Sequence, residues 1–319
     1  MNMEAGLQIV AGLALLAIGG EGVIRGAVGV ARRLGLSELL IGLTLVGFGT
    51  SAPELMTSID AALAGSPGIA MGNVVGSNIS NILLILATVA LVRPLAVNPA
   101  AVRRDGSLVI AASVALAALA LVFGELNRWI GAAFVATLAL YIVTAWRLER
   151  RGGPAAEMHE AEGHTHDPAP NALWISLLFA FAGLGLLVWG ADLLVEGAIS
   201  TARVGGVSES VIGLTIVAIG TSLPELVATL AAALKGRSDV AFGNIVGSNL
   251  YNILGILGVT ALIQPLTIPA DIGVIDWAVL IGSACLLLVF AATRRRLTRL
   301  EGAILLAIYC GYVGYLLSP

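Results

Sequence analysis

The sequence predicts an all-α polytopic membrane protein with ten transmembrane helices in two inverted five-helix repeats, helices 2 and 7 being broken. Three observations lead there: an apolar composition, a duplication at one constant offset, and a one-sided distribution of positive charge.

Of 319 residues, 58% are hydrophobic and 12% charged, and the mean hydropathy is +0.97. Soluble domains are about a quarter charged. A spanning helix needs about 20 predominantly apolar residues, and the chain contains many such stretches between short polar breaks. Inside a bilayer the backbone must satisfy itself, so these stretches are expected to be helices; the alternating pattern of a membrane barrel is absent.

The first half divides into apolar segments at about 5–31, 37–64, 68–91, 105–123 and 128–146. The second gives about 172–200, 208–234, 239–263, 272–292 and 300–317. Gly42 to Leu55 reads GLTLVGFGTSAPEL and Gly213 to Leu226 reads GLTIVAIGTSLPEL; Gly72 to Leu86 reads GNVVGSNISNILLIL and Gly243 to Leu257 reads GNIVGSNLYNILGIL. Both pairs lie 171 positions apart, as do Gly26-Ala27 and Gly197-Ala198, Pro94-Leu95 and Pro265-Leu266, and Asp105 and Asp276. A constant offset over several segments means duplication of a whole half. Five spans per half force the two copies to cross the membrane in opposite senses.

Charge supports the count. Of the 17 Lys and Arg residues, all but Arg128 and Arg203 flank the loops after segments 1, 3, 5, 7 and 9. Positive residues collect on the cytoplasmic side, so both termini are expected outside, most simply in the plasma (inner) membrane of a prokaryote. The domains are then 1–148, a cytoplasmic linker at 149–171, and 172–319. The linker's His159, His164 and His166 lie among acidic residues and read as a solvated connection rather than a metal sensor. A cleavable signal peptide is not expected, because no basic residue precedes Arg25 and the first apolar run is too long. Cys285 and Cys310 lie in apolar segments and read as unpaired.

The repeated motifs hold the chemistry. An intramembrane carboxylate marks a functional site by default, and Glu54 and Glu225 occupy equivalent mid-segment positions, each after a proline, Pro53 or Pro224. Proline removes the bond to the carbonyl four residues back, here Gly49 or Gly220. The freed carbonyls are expected to line a polar cavity beside the hydroxyls of Thr50, Ser51, Thr221 and Ser222. Ser77 and Asn81 are four apart and share one helical face, as do Ser248 and Asn252. Gly72 with Gly76 and Gly243 with Gly247 form small faces for close helix approach. This inventory is all oxygen, which suits a hard cation such as Ca²⁺ better than zinc or copper. Two glutamates supply charge for one Ca²⁺ or two Na⁺, and a third Na⁺ would make exchange voltage-sensitive. Glu21, Asp192 and Glu196 read as ion-pair or gate-edge residues rather than ligands; Glu21 and Arg25 have the i, i+4 spacing of a pair.

GTSAPEL with GTSLPEL, and GNVVGSN with GNIVGSN, resemble the two alpha repeats of the Ca²⁺/cation antiporter superfamily, most closely the sodium/calcium exchanger branch of prokaryotic type. The resemblance spans essentially the whole chain. It implies a core of helices 2, 3, 7 and 8 around cation sites, with the long first and sixth helices sliding across it. Matched residue by residue, it implies ligands at Thr50, Ser51, Glu54, Ser77, Asn81, Thr221, Ser222, Glu225, Ser248 and Asn252, with main-chain oxygens from Gly47 and Ala218. Asn252 stands where K⁺-dependent relatives carry Asp, which argues for K⁺-independent exchange. The proton-coupled branch places its acid nearer a GNxxE pattern, absent here. The implied function is secondary antiport of Na⁺ against Ca²⁺ by alternating access, with K⁺-dependent or H⁺-coupled exchange, or a cation channel, as alternatives. The partners are the transported Ca²⁺ and Na⁺ and the lipid bilayer. No cofactor, nucleic acid or enzymatic activity is indicated, and the sequence carries no signal for oligomeric state.

Overall fold

A computed structural model describes residues 3–97, 102–150, 172–204, 220, 222–268 and 272–316. Helix occupies some part of each of the ten apolar segments. In chain order these are α1 (Met3–Leu34), α2 (Leu39–Thr50), α3 (Ala52–Leu63), α4 (Pro67–Val92), α5 (Val102–Phe123), α6 (Arg128–Arg150), α7 (Leu173–Val204), α8 (Leu223–Leu234), α9 (Ser238–Ile263), α10 (Val274–Arg294) and α11 (Arg299–Leu316). Among the described residues seven helices are long and apolar enough to cross a membrane, or eight if the bent pair α2–α3 counts as one span. Residues 205–219, before α8, lie outside the described set, as does 151–171 of the linker with its three histidines.

Polarity is distributed as a bilayer requires. Leu7, Leu121, Val122, Phe123 and Val274 are exposed, while Thr50, Ser51, Glu54, Asn81, Glu225 and Asn252 are buried. Apolar side chains on the outside cost nothing against lipid, whereas each interior polar group must find a partner or a ligand. Trp129 and Trp174, at the first turns of α6 and α7, are exposed as interface anchors are.

α1 and α7 have 32 residues each, about 48 Å at 1.5 Å per residue. They pack antiparallel through glycines at seven-residue spacing. A Cβ on Gly12 would meet the Gly190 carbonyl oxygen at 2.8 Å, and one on Gly19 the Gly183 carbonyl oxygen at 2.9 Å. Gly12, Gly19 and Gly26 correspond to Gly183, Gly190 and Gly197 at the 171-residue offset, so equivalent helices of the two halves meet head to tail.

Short antiparallel strands join the halves at the helix ends. β1 (Leu95–Ala96) pairs with β4 (Arg296–Leu297), and β2 (Glu125–Leu126) with β3 (Leu266–Thr267). Each pair joins a strand of one half to a strand of the other. Arg128 Nη2 donates to the Ile263 carbonyl at 3.4 Å, and its equivalent Arg299 donates to the Leu91 and Val92 carbonyls at 3.1 and 3.3 Å. A cation at a helix C-terminus satisfies its free carbonyls and opposes its dipole. Asp105 accepts from the Tyr141 hydroxyl at 2.8 Å and Asp276 from the Tyr312 hydroxyl at 2.6 Å, again at equivalent positions. Cys285 and Cys310 are both free.

Candidate functional site

The chain bends by 44° between α2 and α3. Ser51 sits at the break in a non-helical conformation, and Pro53 follows in the first turn of α3. That placement corrects the expectation of a proline interrupting a helix interior. In a first turn the missing N–H has no partner to lose, so Pro53 restarts the helix rather than straining it. Ser222 and Pro224 hold the same places at the start of α8, and the residues ahead of them, 205–219 and 221, lie outside the described set, as does the expected break of helix 7. Both α3 and α8 carry their glutamate in the first turn, where the helix dipole favours negative charge.

Close crossing of α2 and α9 brings the halves together. A Cβ on Gly243 would lie 2.5 Å from the Leu39 carbonyl oxygen, one on Gly42 2.5 Å from the Val240 carbonyl oxygen, and one on Gly47 3.2 Å from the Ser248 nitrogen. Gly247 packs against Leu43. The Gly243/Gly247 face is thus a packing seam as the sequence predicts. Its equivalent, Gly72 and Gly76, has nothing within 4 Å among the described residues.

Glu54 and Glu225 are each 1% exposed and interact electrostatically with one another, so the two repeats deliver their carboxylates to one place. Ser51 Oγ donates to Glu225 Oε1 at 3.1 Å. Thr50, Ser51, Ser77, Asn81, Ser222, Ser248 and Asn252 are all buried. Asn81 and Asn252 lie in π-helical turns, Asn81–Leu86 and Tyr251–Ile256, whose extra residue per turn redirects side chains within an otherwise α-helical span. The decisive feature is a set of oxygens without donors. Among the described residues Glu54 Oε2, Glu225 Oε2, Asn81 Oδ1, Ser248 Oγ and Asn252 Oδ1 are buried with no hydrogen-bond partner, as are Asn78 Oδ1, Asn249 Oδ1 and Thr260 Oγ1 outside the expected ligand set. Buried polar atoms are nearly always satisfied, so the first five oxygens, drawn from both halves and all at positions the sequence singles out, need a partner that the described residues do not supply. Among the described residues no group of three or more His, Cys, Asp and Glu could hold a metal; the charge here comes from two carboxylates among neutral oxygens. Thr221 and Ala218 lie outside the described residues. The Gly47 carbonyl accepts from Ser51 N at 3.2 Å and lies 3.3 Å from Thr50 Oγ1.

The comparisons with known proteins agree with this architecture. The family model for sodium/calcium exchanger protein matches residues 5–147 and 175–318. The chain belongs to the sodium/calcium exchanger family. It is 39% identical over 319 residues to the putative antiporter CaxA of Alkalimonas amylolytica, covering 99% of each chain. It is 31% identical over 338 residues to the sodium/calcium exchanger MaX1 of Methanosarcina acetivorans, covering 96% of this chain and 97% of that one. Among solved structures, the sodium-calcium exchanger NCX_Mj soaked with zero Na⁺ and Ca²⁺ superposes with a TM-score of 0.83 at 30% identity, covering 99% of this chain and all of the other. This exchanger-family protein is therefore an integral membrane cation antiporter and not an enzyme.

Outside the expected ligand set, Glu21 pairs with Arg25 as its spacing predicts, and also with Lys235 at 2.6 Å. Glu196 accepts from Gln8 Nε2 at 3.2 Å, and Asp192 is exposed. Sequence reasoning missed Asn73 and Asn244. Asn73 Nδ2 donates to the Glu54 carbonyl at 3.1 Å and to Ser58 Oγ at 3.0 Å; Asn244 Nδ2 donates to the Glu225 carbonyl at 3.4 Å and to Thr229 Oγ1 at 2.9 Å. The signal was present, since both asparagines lie inside the duplicated GN motifs.

Proposed function

We propose that this protein exchanges Na⁺ for Ca²⁺ by alternating access, through one mid-membrane site whose ligands are Glu54, Glu225 and the oxygens around them. The ligand set is Thr50, Ser51, Ser77, Asn81, Thr221, Ser222, Ser248 and Asn252, with main-chain oxygens at Gly47 and Ala218. The single observation that supports the reading is that five buried oxygens at the expected ligand positions find no hydrogen-bond partner among the described residues. Ca²⁺ takes 6–8 oxygens in flexible geometry, and each of these atoms offers lone pairs to it. Two carboxylates cancel the charge of one Ca²⁺ or two Na⁺, so the ions compete for one pocket. With no cation bound the carboxylates repel, which disfavours switching of the empty carrier. The amide of Asn252 withholds a third negative charge, which supports exchange independent of K⁺. The clustering of Lys and Arg at one set of loops supports a topology with both termini outside and residues 149–171 in the cytoplasm.

The deciding experiment is ⁴⁵Ca²⁺ uptake by proteoliposomes under separately imposed Na⁺, K⁺ and H⁺ gradients. Saturable uptake driven by an outward Na⁺ gradient, without added K⁺, is the expected result. Uptake that followed only a proton gradient would overturn the Na⁺ coupling, and non-saturable flux without trans-stimulation would indicate a channel.

A further inference from the structure

The ligand set leaves Asn73 and Asn244 unused, although both contact the main chain of the site glutamates. Asn244 is 1% exposed, and its surroundings fix its amide. Thr229 has one hydroxyl proton and donates it to the Glu225 carbonyl at 2.6 Å. It can therefore only accept from Asn244, so the atom 2.9 Å away is Nδ2. That orientation turns Oδ1 toward Thr50 Oγ1, 3.3 Å away in the other half. An amide oxygen carries no proton, so Thr50 is the donor in this contact.

Thr50 has one proton and four acceptors to choose from: the Val46 carbonyl at 3.1 Å, the Gly47 carbonyl at 3.3 Å, Asn244 Oδ1 at 3.3 Å and the Glu225 carboxylate. While the proton points at either carbonyl, it occupies a main-chain oxygen in the turn before the break. Drawn to Asn244, it leaves those carbonyls and the hydroxyl lone pairs free for a cation. We infer that Asn244 is a positioning residue of the ion site, holding the Thr50 proton away from the cation while anchoring the Glu225 main chain, and so coupling the two repeats at the site. The inference rests on the exchanger reading above. In the first half Asn73 makes the same anchor, to the Glu54 carbonyl and to Ser58, the equivalent of Thr229. Asn244 has a second contact, across the repeats, to Thr50; Thr221, which stands at the place equivalent to Thr50, lies outside the described residues.

The test is equilibrium ⁴⁵Ca²⁺ binding to the purified full-length protein, as a double-mutant cycle. Asn244→Ala is expected to weaken Ca²⁺ binding about tenfold with the number of sites per molecule unchanged, and Thr50→Val to do the same. The double variant is expected to bind little more weakly than either single, because both remove one relay. Asn244→Ser, whose hydroxyl is too short to span Thr50 and Thr229, is expected to match Asn244→Ala and serves where that variant does not fold. Wild-type affinity in both Asn244 variants, single effects that multiply in full, or loss of sites at unchanged affinity would each overturn the inference. A wild-type protein that bound no Ca²⁺ would overturn the exchanger reading, and this inference with it.

Discussion

Ser51 Oγ donates to Glu225 Oε1 across 3.1 Å, joining a hydroxyl of the first repeat to the carboxylate of the second. While Ser51 donates to Oε1, its own oxygen keeps both lone pairs, so in the proposed site hydroxyl and carboxylate can serve one cation together. Ser51→Ala removes a candidate ligand and leaves Oε1 without its donor. The expected result is Ca²⁺ affinity about five- to tenfold weaker in equilibrium binding, with the fold retained because Ser51 already lies at a break.

Neutralising either carboxylate should be far more severe. Among the described residues Glu54 Oε2 and Glu225 Oε2 are buried without partners, and in the proposed site these two carboxylates are what balances the charge of a divalent ion. Removing one partner of a buried charge pair leaves the other uncompensated. Glu54→Gln and Glu225→Gln are each expected to lower Na⁺-driven ⁴⁵Ca²⁺ uptake by about a hundredfold or more. Near-normal uptake by either variant would defeat the site assignment.

Asn252 tests the charge argument from the other direction. Its side chain is buried with Oδ1 unpartnered, so Asn252→Asp adds a third negative charge without changing shape. Tighter binding of an added monovalent ion is expected, read as a new K⁺ or altered Na⁺ dependence of uptake. Unchanged cation dependence would show that selectivity is set elsewhere.

Much of this arrangement was legible because duplication writes each site residue twice. Glu54 with Glu225 and Asn81 with Asn252 stood out through a shared offset, and their burial follows from it. The meaning of the prolines was less legible: periodicity marks a break but not its phase, and the helix restarts one residue before Pro53. Asn73 and Asn244 were hidden for a different reason. Amides in a glycine-rich packing motif give no charge signal, and their role depends on which atoms of α3 and α8 lie opposite. The seven-residue glycine seam between α1 and α7 was likewise in the sequence, but its partner face emerges only from three-dimensional packing.

Departures from the repeat also predict. Gly124 and Arg295 are equivalent C-terminal positions in the left-handed region, at φ 66° and 54°. Glycine occupies that region without steric cost, whereas a Cβ costs roughly 1–2 kcal/mol. Part of the relief is lost to the freer unfolded chain, so Arg295→Gly is expected to stabilise the protein by up to about 1 kcal/mol. A rise in the thermal unfolding midpoint in detergent is the check. A fall would mean that the exposed Arg295 side chain contributes more than its backbone strain costs.

The glycine seam bears on alternating access itself. A Cβ at Gly19 would meet the Leu187 nitrogen at 2.8 Å and the Gly183 carbonyl oxygen at 2.9 Å. Backbone atoms there cannot yield as a side-chain tip can, so Gly19→Val must push α1 away from α7. The described oxygens of the proposed ion site come from α2, α3, α4, α8, α9 and the residues capping α3 and α8, none of which supplies the close atoms at Gly19. If α1 and α7 move as a pair over that core, the substitution should impair transport more than binding. The expected result is ⁴⁵Ca²⁺ affinity within about twofold of wild type and a maximal uptake rate lowered at least about tenfold, the split that separates a conformational step from the site. Equal losses of affinity and rate would place the seam among the supports of the site. Unchanged uptake would show that tight α1–α7 contact is no part of the cycle.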